Sequence, residues 1–549
     1  MDTTEVEWQF DAVDLRPVIR WLEERDEEAE NRTLKIKSGG STSQLDIYFD
    51  TEDRRFHRAG YVLRVRRGGR GKHVGVEATL KELGAPTTVD PGLRSRREVS
   101  EPLEAADLRM LAESDGPVAA RVRAVAGKKT LRPLFEVRSR RRTFSVEVEG
   151  SQPGEIALDE TTIRPAAGGG ATRLHRVEIE ASEATLAALR PFVERLRTEC
   201  RLQAAELTKY EAGVLAAGLG SPPDAFGPVE IEPDGSIGRV GLAVLRRQFA
   251  ALLAKEPGSR LGDDREELHD MRVASRRLRA ALSLFREFLP PSAAKLGDDL
   301  RWVGQTLGAV RDLDVQLEQL DGWLLELSAA DREALAPVRS LLEAKRAAAR
   351  ETMLTALDSR RFELFVGRFG RLLRSARGRR SGPASMPARA VAPDLIDGLF
   401  RAFRKAARRV ERDSPVFEYH RVRIRGKRLR YALEFLAELY PGQTGPLTKR
   451  LASLQDLLGL HQDAEVAIQR LRRLASEHSA ELPPEAIFAM GEIAERYRQS
   501  AAELRSRFPE SYARVTGKAW KTFAKLIETE RPARPAARAK AESAVSATG

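Results

Sequence analysis

The sequence predicts a multidomain chain: an antiparallel, mostly β unit with added helices (α+β), then an all-α unit built as a duplicated helical bundle. Residues 1–214 alternate apolar and charged positions in short runs divided by Gly, Pro and Asp clusters, as half-buried strands and turns do. Residues 239–528 place apolar residues at helical spacing instead. Within that second region one stretch occurs twice. His269-Asp-Met-Arg272-Val-Ala-Ser-Arg276-Arg277-Leu-Arg279 returns as His420-Arg-Val-Arg423-Ile-Arg-Gly-Lys427-Arg428-Leu-Arg430, at an offset of 151. Gly308, Asp312, Asp314 and Val315 return at the same offset as Gly459, Asp463, Glu465 and Val466. Register kept across two patches marks a duplicated structural unit.

In the first unit, Glu5-Val-Glu7-Trp-Gln9-Phe10 alternates strictly, and Asp14–Glu24 reads as a helix. Further strands are expected at Leu45–Asp50, Tyr61–Arg66, Gly75–Leu83, Phe135–Arg142, Thr143–Glu149, Glu155–Asp159 and His175–Glu180, with helices near Leu103–Ala126 and Glu183–Cys200. Charges are sorted by strand. Glu5 and Glu7 share a face, as do Glu178 and Glu180; Arg64 and Arg66 share one, as do Arg138, Arg140 and Arg142. Either a sheet turns its polar face to water, or a closed sheet encloses a charged lumen, its acidic strands facing metal and its basic strands facing phosphates.

Residues 215–238 read as a Pro/Gly/acidic linker and 529–549 as a disordered tail. Residues 377–393 read as a flexible basic connection between the two helical halves. On a helix, His269, Arg272, Arg276 and Arg279 share an arc of roughly 80°. Met271, Ala274, Leu278, Ala281, Leu282 and Phe285 lie opposite. His420, Arg423, Lys427 and Arg430 repeat the arrangement. Such a stripe is a solvated basic face, or it waits for an anion, because its like charges repel.

Of the 549 residues 32% are charged and the formal net charge is +12, which points to anionic partners. The single cysteine, Cys200, excludes an internal disulfide and fits a reducing cytoplasm. Met1–Glu5 carries no signal-peptide pattern, and no run approaches the roughly 20 apolar residues of a membrane span, so no membrane partner is expected. Nucleic acid ranks low as a partner: the stripes hold one aromatic, Tyr431, where base stacking needs several.

Glu5-x-Glu7-x-Gln9 resembles the E-x-E-x-K signature of the CYTH family, the triphosphate tunnel metalloenzymes. Arg64-Val-Arg66, Thr79-Leu-Lys81, Arg97-Glu98, Leu158-Asp159, Val177-Glu178-Ile-Glu180 and Thr208-Lys209-Tyr210 follow in the family's order. The resemblance covers residues 1–214. It implies an antiparallel barrel of about eight strands around a tunnel for triphosphate-bearing substrates and Mg²⁺ or Mn²⁺. Carried over by position, Glu5, Glu7, Asp159, Glu178 and Glu180 would face the metal, with Glu98 a lesser candidate. Arg64, Arg66, Lys81, Arg138, Arg140 and Lys209 would grip phosphates. Glu5, Glu7, Lys81 and Lys209 would carry catalysis. Gln9 departs from the signature: glutamine binds a phosphate oxygen but brings no charge.

The helical region is similar to the CHAD family, on the two His/Arg stripes and the two Gly-x-x-x-Asp patches. That resemblance implies a pseudo-symmetric bundle whose basic channel binds inorganic polyphosphate through His269, Arg272, Arg276, Arg279, His420, Arg423, Lys427 and Arg430. Asp312 and Asp463 would orient those arginines. The combined expectation is a metal-dependent triphosphatase acting on inorganic triphosphate or polyphosphate ends. The alternative is a polyphosphate-binding protein with a silent barrel; a nucleic-acid binder and an ATP cyclase rank lower.

Overall fold

A computed structural model describes residues 2–27, 34–70, 73–83, 90–104, 111, 113–148, 154–182, 184–219, 226–375 and 382–531. The chain divides into two compact units, Met1–Pro223 with Ala254–Asp264, and Asp224–Leu253 with Arg265–Gly549.

In the first unit the strands are β1 (Asp2–Asp11), β2 (Leu34–Thr51), β3 (Tyr61–Arg70), β4 (His73–Glu82), β5 (Leu93–Leu103), β6 (Leu131–Val148), β7 (Gly154–Pro165) and β8 (Thr172–Ala181). They pair antiparallel in the order β5-β4-β3-β2-β6-β7-β8-β1, and β1 pairs back onto β5, closing an eight-stranded barrel. A two-residue β9 (Gln203–Ala204) adds to β1. The two strands expected over 135–149 are one 18-residue strand, β6, paired along β2 past a register shift at Ser38/Gly40. β5 is missing from the expected strands. Of the helix expected near Leu103–Ala126, residues 105–110 and 112 lie outside the described ones, Leu111 and Glu113 are helical, and Pro117–Ala126 forms a helix.

The alternation has an inside-out consequence. Val6, Trp8, Phe10, Phe144, Val146, Ile156, Leu158, Val177 and Ile179 face outward and are buried beneath the helices Arg16–Glu27 and Leu186–Glu199. Leu63, Val65, Ala78, Leu80 and Val99 are covered by the helix Pro117–Ala126, with Phe56 and Leu261. The packing of Leu261 explains why Ala254–Asp264 belongs to this unit and not, as the sequence suggested, to the helical one. The hydrophobic core therefore lies outside the barrel wall, which frees the lumen for charge.

One end of the lumen is filled. Tyr48, Val62, Phe135, Val137 and Ile163 pack there with Tyr210 and Ala212 of the helix Lys209–Ala216. Thr208 and Glu211 form a reciprocal capping box that fixes where this helix starts. A Cβ on Gly213 would stand 2.2 Å from a ring carbon of Phe135, so only glycine lets the helix lie this close.

In the second unit, the helix Ile237–Leu261 as far as Leu253, with Arg265–Leu284, Leu296–Glu326, Ala336–Leu357 and Arg360–Ser375, forms one half. Ala388–Ala407, Val416–Phe435, Gly445–Glu477, Pro484–Thr516 and Lys518–Thr529 form the other. Ile237 and Ala388, and Arg265 and Val416, begin paired helices at the sequence offset of 151. Just before the first of these pairs the chain segments are joined: Ser236 and Pro387 form an antiparallel bridge, Ile237 N–H donates to Met386 O and Ala388 N–H to Gly235 O, each at 2.9 Å. The expected flexible connection over 377–393 is shorter than its prolines suggested. Residues 376–381 lie outside the described ones, but Ala388 begins a helix that contains Pro393, because Ala388, Ala390, Val391, Ala392 and Ile396 bury an apolar face. Most of the expected tail, 532–549, also lies outside the described residues. Among the described residues no helix is long and apolar enough to cross a membrane.

Candidate functional site

The lumen is a cavity of about 200 Å³ lined by Glu5, Glu7 and Gln9 of β1, Asp46 and Tyr48 of β2, Arg64 and Arg66 of β3 and Lys81 of β4. Arg96 and Glu98 of β5, Arg141 of β6, Glu155 of β7, Glu178 and Glu180 of β8 and Lys209 complete it. Inward and outward residues alternate, so each strand contributes every second side chain. Of the residues singled out in the sequence, Glu5, Glu7, Arg64, Arg66, Lys81, Glu178, Glu180 and Lys209 are brought together here. Arg138 and Arg140 are not. They are exposed on the outer face, and Arg141 is the β6 cation in the lumen. The sequence reading took the basic positions of that strand as its inner face. In the structure Phe135 and Val137 fill the closed end, so the inner parity runs 135, 137, 139, 141.

Charges in the lumen are paired in two networks. Arg66 grips Asp46 with both arms, at 2.7 and 2.9 Å. Burial alone would raise Asp46, but Arg66 and Arg64 outweigh it and hold the carboxyl at about 2. Lys81 pairs with Glu5, with Glu98 at 3.4 Å and with Glu7 at 3.6 Å, and Arg96 pairs with Glu7. On the other side, Arg141 forks onto fully buried Asp159 at 2.9 and 2.7 Å and reaches Glu178 at 2.6 Å. Lys209 joins the same two carboxylates. Burial opposes ionisation of Glu178, yet Lys209 and Arg141 hold it well below the ordinary carboxylate range. Asp159 and Glu178, expected on the metal side, are ion-paired with Arg141 and Lys209 here, as Glu5 and Glu7 are with Lys81 and Arg96.

A third group stands in a row of like charges, although its Glu7 is also paired with Arg96 and Lys81. Glu155, Glu180 and Glu7 stand directly opposite one another on β7, β8 and β1. Adjacent like charges in a cross-strand row repel. Glu180 keeps an exposed edge, but desolvation of its carboxyl in the corner, then Glu5, Glu7 and Glu155, push it up to about 7. Among the described residues no cluster of three or more His, Cys, Asp or Glu is already arranged as a metal site. The donor chemistry still fits one: Glu5, Glu7 and Glu180 present hard oxygens in a crowded anionic corner, which a divalent cation relieves. Gln9 is buried, donates to Glu7 at 2.9 Å and accepts from Arg176 at 3.4 Å. The charge it lacks is present nearby on Arg96 and Arg176. Sequence reasoning missed Arg96, Asp46, Arg141 and Glu155 as lumen residues, and Arg176 behind Gln9; only strand parity, with the closed end known, could have found them.

In the helical unit the Arg265–Leu284 and Val416–Phe435 helices pack together. Each buries the expected stripe, Met271, Ala274, Leu278 and Ala281 on one, Val422, Leu429, Ala432 and Leu433 on the other. Arg276 donates to Tyr431 Oη at 2.9 Å, across the two copies. Tyr431 is itself buried and lies beneath Arg277 and Arg430, so it props guanidinium groups and is not free to stack on a base. Arg272 pairs with Asp312 at 3.1 Å. Gly308 and Gly459 lie against Arg272 and Arg423, where built Cβ atoms would stand 3.6 and 3.9 Å from the guanidinium groups. Burial first, then Arg276, Arg423 and Arg430, depress the Lys427 ammonium to about 7. Asp314 and Glu465, equivalent by the offset, each hold an arginine of a following helix: Arg346 at 2.6 Å and Arg505 at 2.8 Å. Arg272, Arg276, Arg279 and Lys427 line cavities between the helices, whereas His269 and His420 line neither of them. His420 is exposed and bonds Gln462 at 2.8 Å.

The comparisons with known proteins match each unit separately. The CYTH domain family model matches residues 19–213 and the CHAD domain family model residues 243–472. The CHAD domain from the plant Ricinus communis is 30% identical over 52% of this chain and 94% of its own, with a TM-score of 0.44. PptA from Streptomyces chartreusis is 23% identical over 51% of this chain and 99% of its own, with a TM-score of 0.42. The Hippeastrum protein HpAC1, assigned as an adenylyl cyclase and described with a dominant triphosphatase activity, is 13% identical over 40% of this chain and 98% of its own, with a TM-score of 0.26. No curated protein matches the chain. With a barrel of this closure and a duplicated helical unit in the matched segments, the chain carries a CYTH domain over residues 19–213 and a CHAD domain over residues 243–472.

Proposed function

We propose that this protein is a metal-dependent phosphohydrolase of inorganic triphosphate or polyphosphate ends, and that its helical unit binds polyphosphate. The observation that carries the reading is the sorting of charge inside a closed lumen: a like-charged carboxylate corner at Glu7, Glu155 and Glu180, faced by Arg64, Arg66, Lys81, Arg96, Arg141 and Lys209. Because Tyr48, Phe135 and Tyr210 fill the far end, a phosphate chain enters by its terminus. Arg64, Arg66 and Lys81 then exchange carboxylate partners for phosphate oxygens, and their fixed charges offset the charge that builds on the equatorial oxygens as the terminal bond breaks. Glu5, Glu7 and Glu180 would hold Mg²⁺ or Mn²⁺, which would supply charge neutralisation and a more acidic water. Arg96 and Gln9 orient Glu7 throughout. In the helical unit, the facing Arg/Lys stripes offer bidentate contacts to a line of closely spaced anionic groups.

A second reading rests on Gln9, which brings no charge of its own to the lumen: the barrel binds its ligand without turning it over. Phosphate release from tripolyphosphate with Mg²⁺ or Mn²⁺ decides, comparing the parent with Glu5→Ala/Glu7→Ala. Metal-dependent release that disappears with the glutamates supports the enzyme. A parent that releases nothing with either metal, yet loses polyphosphate binding in His420→Ala/Arg423→Ala/Arg430→Ala, leaves the binding protein.

A further inference from the structure

The duplicated halves differ at several places on the cationic face, Arg276/Lys427 among them, and one difference changes its shape. Between the Arg265–Leu284 and Leu296–Glu326 helices lies a recess of about 440 Å³, lined by Arg272, Arg276, Arg279 and Asp312 and opened by Gly304. Asp312 pairs with Arg272 at 3.1 Å and would yield it to a bound anion. Ser275 and Leu300, both buried, line its inner part. A Cβ on Gly304 would meet only Ser275 Oγ, at 3.8 Å, so the glycine leaves space. At the offset of 151, Gly304 becomes Gln455 and Ser275 becomes Gly426. Gln455 is 5% exposed, and its Nε2 lies 3.8 Å from where a Gly426 Cβ would stand. In the second half a glutamine side chain occupies what the first half leaves open. The flanking Gly308/Gly459, Asp312/Asp463 and Arg272/Arg423 are the same in both.

We propose that this recess is an anion seat present in the first half only, and that it takes the terminal phosphate group of a condensed phosphate. The inference rests on the polyphosphate reading of the helical unit and deepens it. Three guanidinium groups around a pit match a tetrahedral oxyanion, and a terminal group carries more charge and one more free oxygen than an internal one. A pit with a buried floor admits a chain end and turns away a chain that must run through. Arg423, Lys427 and Arg430 then track the internal phosphates.

The test uses the protein's own second half as template, in the full chain with Arg64→Ala/Arg66→Ala to weaken phosphate binding in the barrel. Gly304→Gln copies the filled arrangement, removes no charge and raises helix propensity. It is expected to weaken long-chain polyphosphate binding by roughly tenfold or more, the worth of a lost set of charge-assisted contacts, while Gly304→Ala binds like the parent. In the parent, linear tetraphosphate displaces the long chain and cyclic tetrametaphosphate, which has no ends, does so poorly. The reverse variant, Gln455→Gly, opens a matching recess and is expected to raise the number of tetraphosphates bound from one to two. Gly304→Gln binding like the parent, equal competition by ring and line, or unchanged stoichiometry in Gln455→Gly each overturns the seat and leaves polyphosphate binding in place. A parent that binds no polyphosphate overturns both.

Discussion

Arg141→Ala gives the sharpest test of the barrel register. The Arg141 guanidinium makes three bonds of 2.6 to 2.9 Å, two to Asp159 and one to Glu178. The Asp159 side chain has no exposure and that of Arg141 has 15%. Removing one partner of a buried pair typically costs about 3–5 kcal/mol, because the other charge stays buried. Lys209 still reaches both carboxylates, so the lower figure, about 3 kcal/mol, is expected. For a unit of this size each kcal/mol moves the midpoint by about 2–4 °C, giving a fall of about 6–12 °C. Arg140→Ala, one residue away on the exposed face, is expected to change stability by no more than about 0.5 kcal/mol. Scanning calorimetry of the two variants beside the parent reads this directly in the barrel's endotherm. A cycle with Asp159→Asn then assigns the loss to the pair. Equal shifts for Arg140→Ala and Arg141→Ala, or the larger shift for Arg140→Ala, would refute the inner parity of β6 and with it the composition of the lumen.

Three further outcomes follow from the same geometry. Glu180, pushed up to about 7, is a carboxyl whose folded value lies above its unfolded one, so its ionisation costs stability as pH rises between the two; metal competes with that proton, and Mn²⁺ binding should strengthen from pH 6 to 8 and flatten in Glu180→Gln by titration calorimetry. Lys427, depressed to about 7, is a base held neutral by the fold above that pH, and a bound anion favours its charged form; polyphosphate binding should take up a proton near pH 7 to 8, seen as a heat that depends on buffer ionisation enthalpy, and Lys427→Met should abolish the uptake. Gly213→Val sets side-chain atoms against the Phe135 ring and should destabilise the barrel by about 1–3 kcal/mol in urea unfolding, whereas Gly491→Ala, with nothing near its Cβ position, should not.

The repeat and the two stripes were legible because helical periodicity is local: once Met271, Leu278 and Ala281 are core, Arg272, Arg276 and Arg279 must face the other way. Strand periodicity gave the same information about β1, where Glu5 and Glu7 line the lumen and Val6 and Trp8 the outer core. It failed on β6. Two alternating sets of side chains do not say which is inside, and there the inner set begins with Phe135 and Val137 while the outer set is arginine. Arg96, Asp46 and Arg176 were invisible for a different reason. Each is a single charge whose meaning comes from a partner far along the chain, such as Glu7 89 residues before Arg96. The linker and the joint between halves were placed by proline and glycine, and buried apolar residues after Pro387 overrode that signal.

The hydrogen-bonded join at Ser236 and Pro387 also bears on how the helical unit tolerates change. Two chain segments that open equivalent helices are stitched side by side, so the duplicated halves share a single point of origin, as two subunits meeting at their amino termini on a dyad would. A residue gained or lost beside that stitch turns the start of the helix that follows it, Ile237–Leu261 or Ala388–Ala407, by about 100° and breaks the hydrogen bonds that tie it to the other half. The same event in a surface turn within one half disturbs that half alone. Length variation among relatives should therefore collect in the turns and spare the positions around 236 and 387, leaving the two halves free to drift in sequence, as Gly304 and Gln455 have, but not in phase.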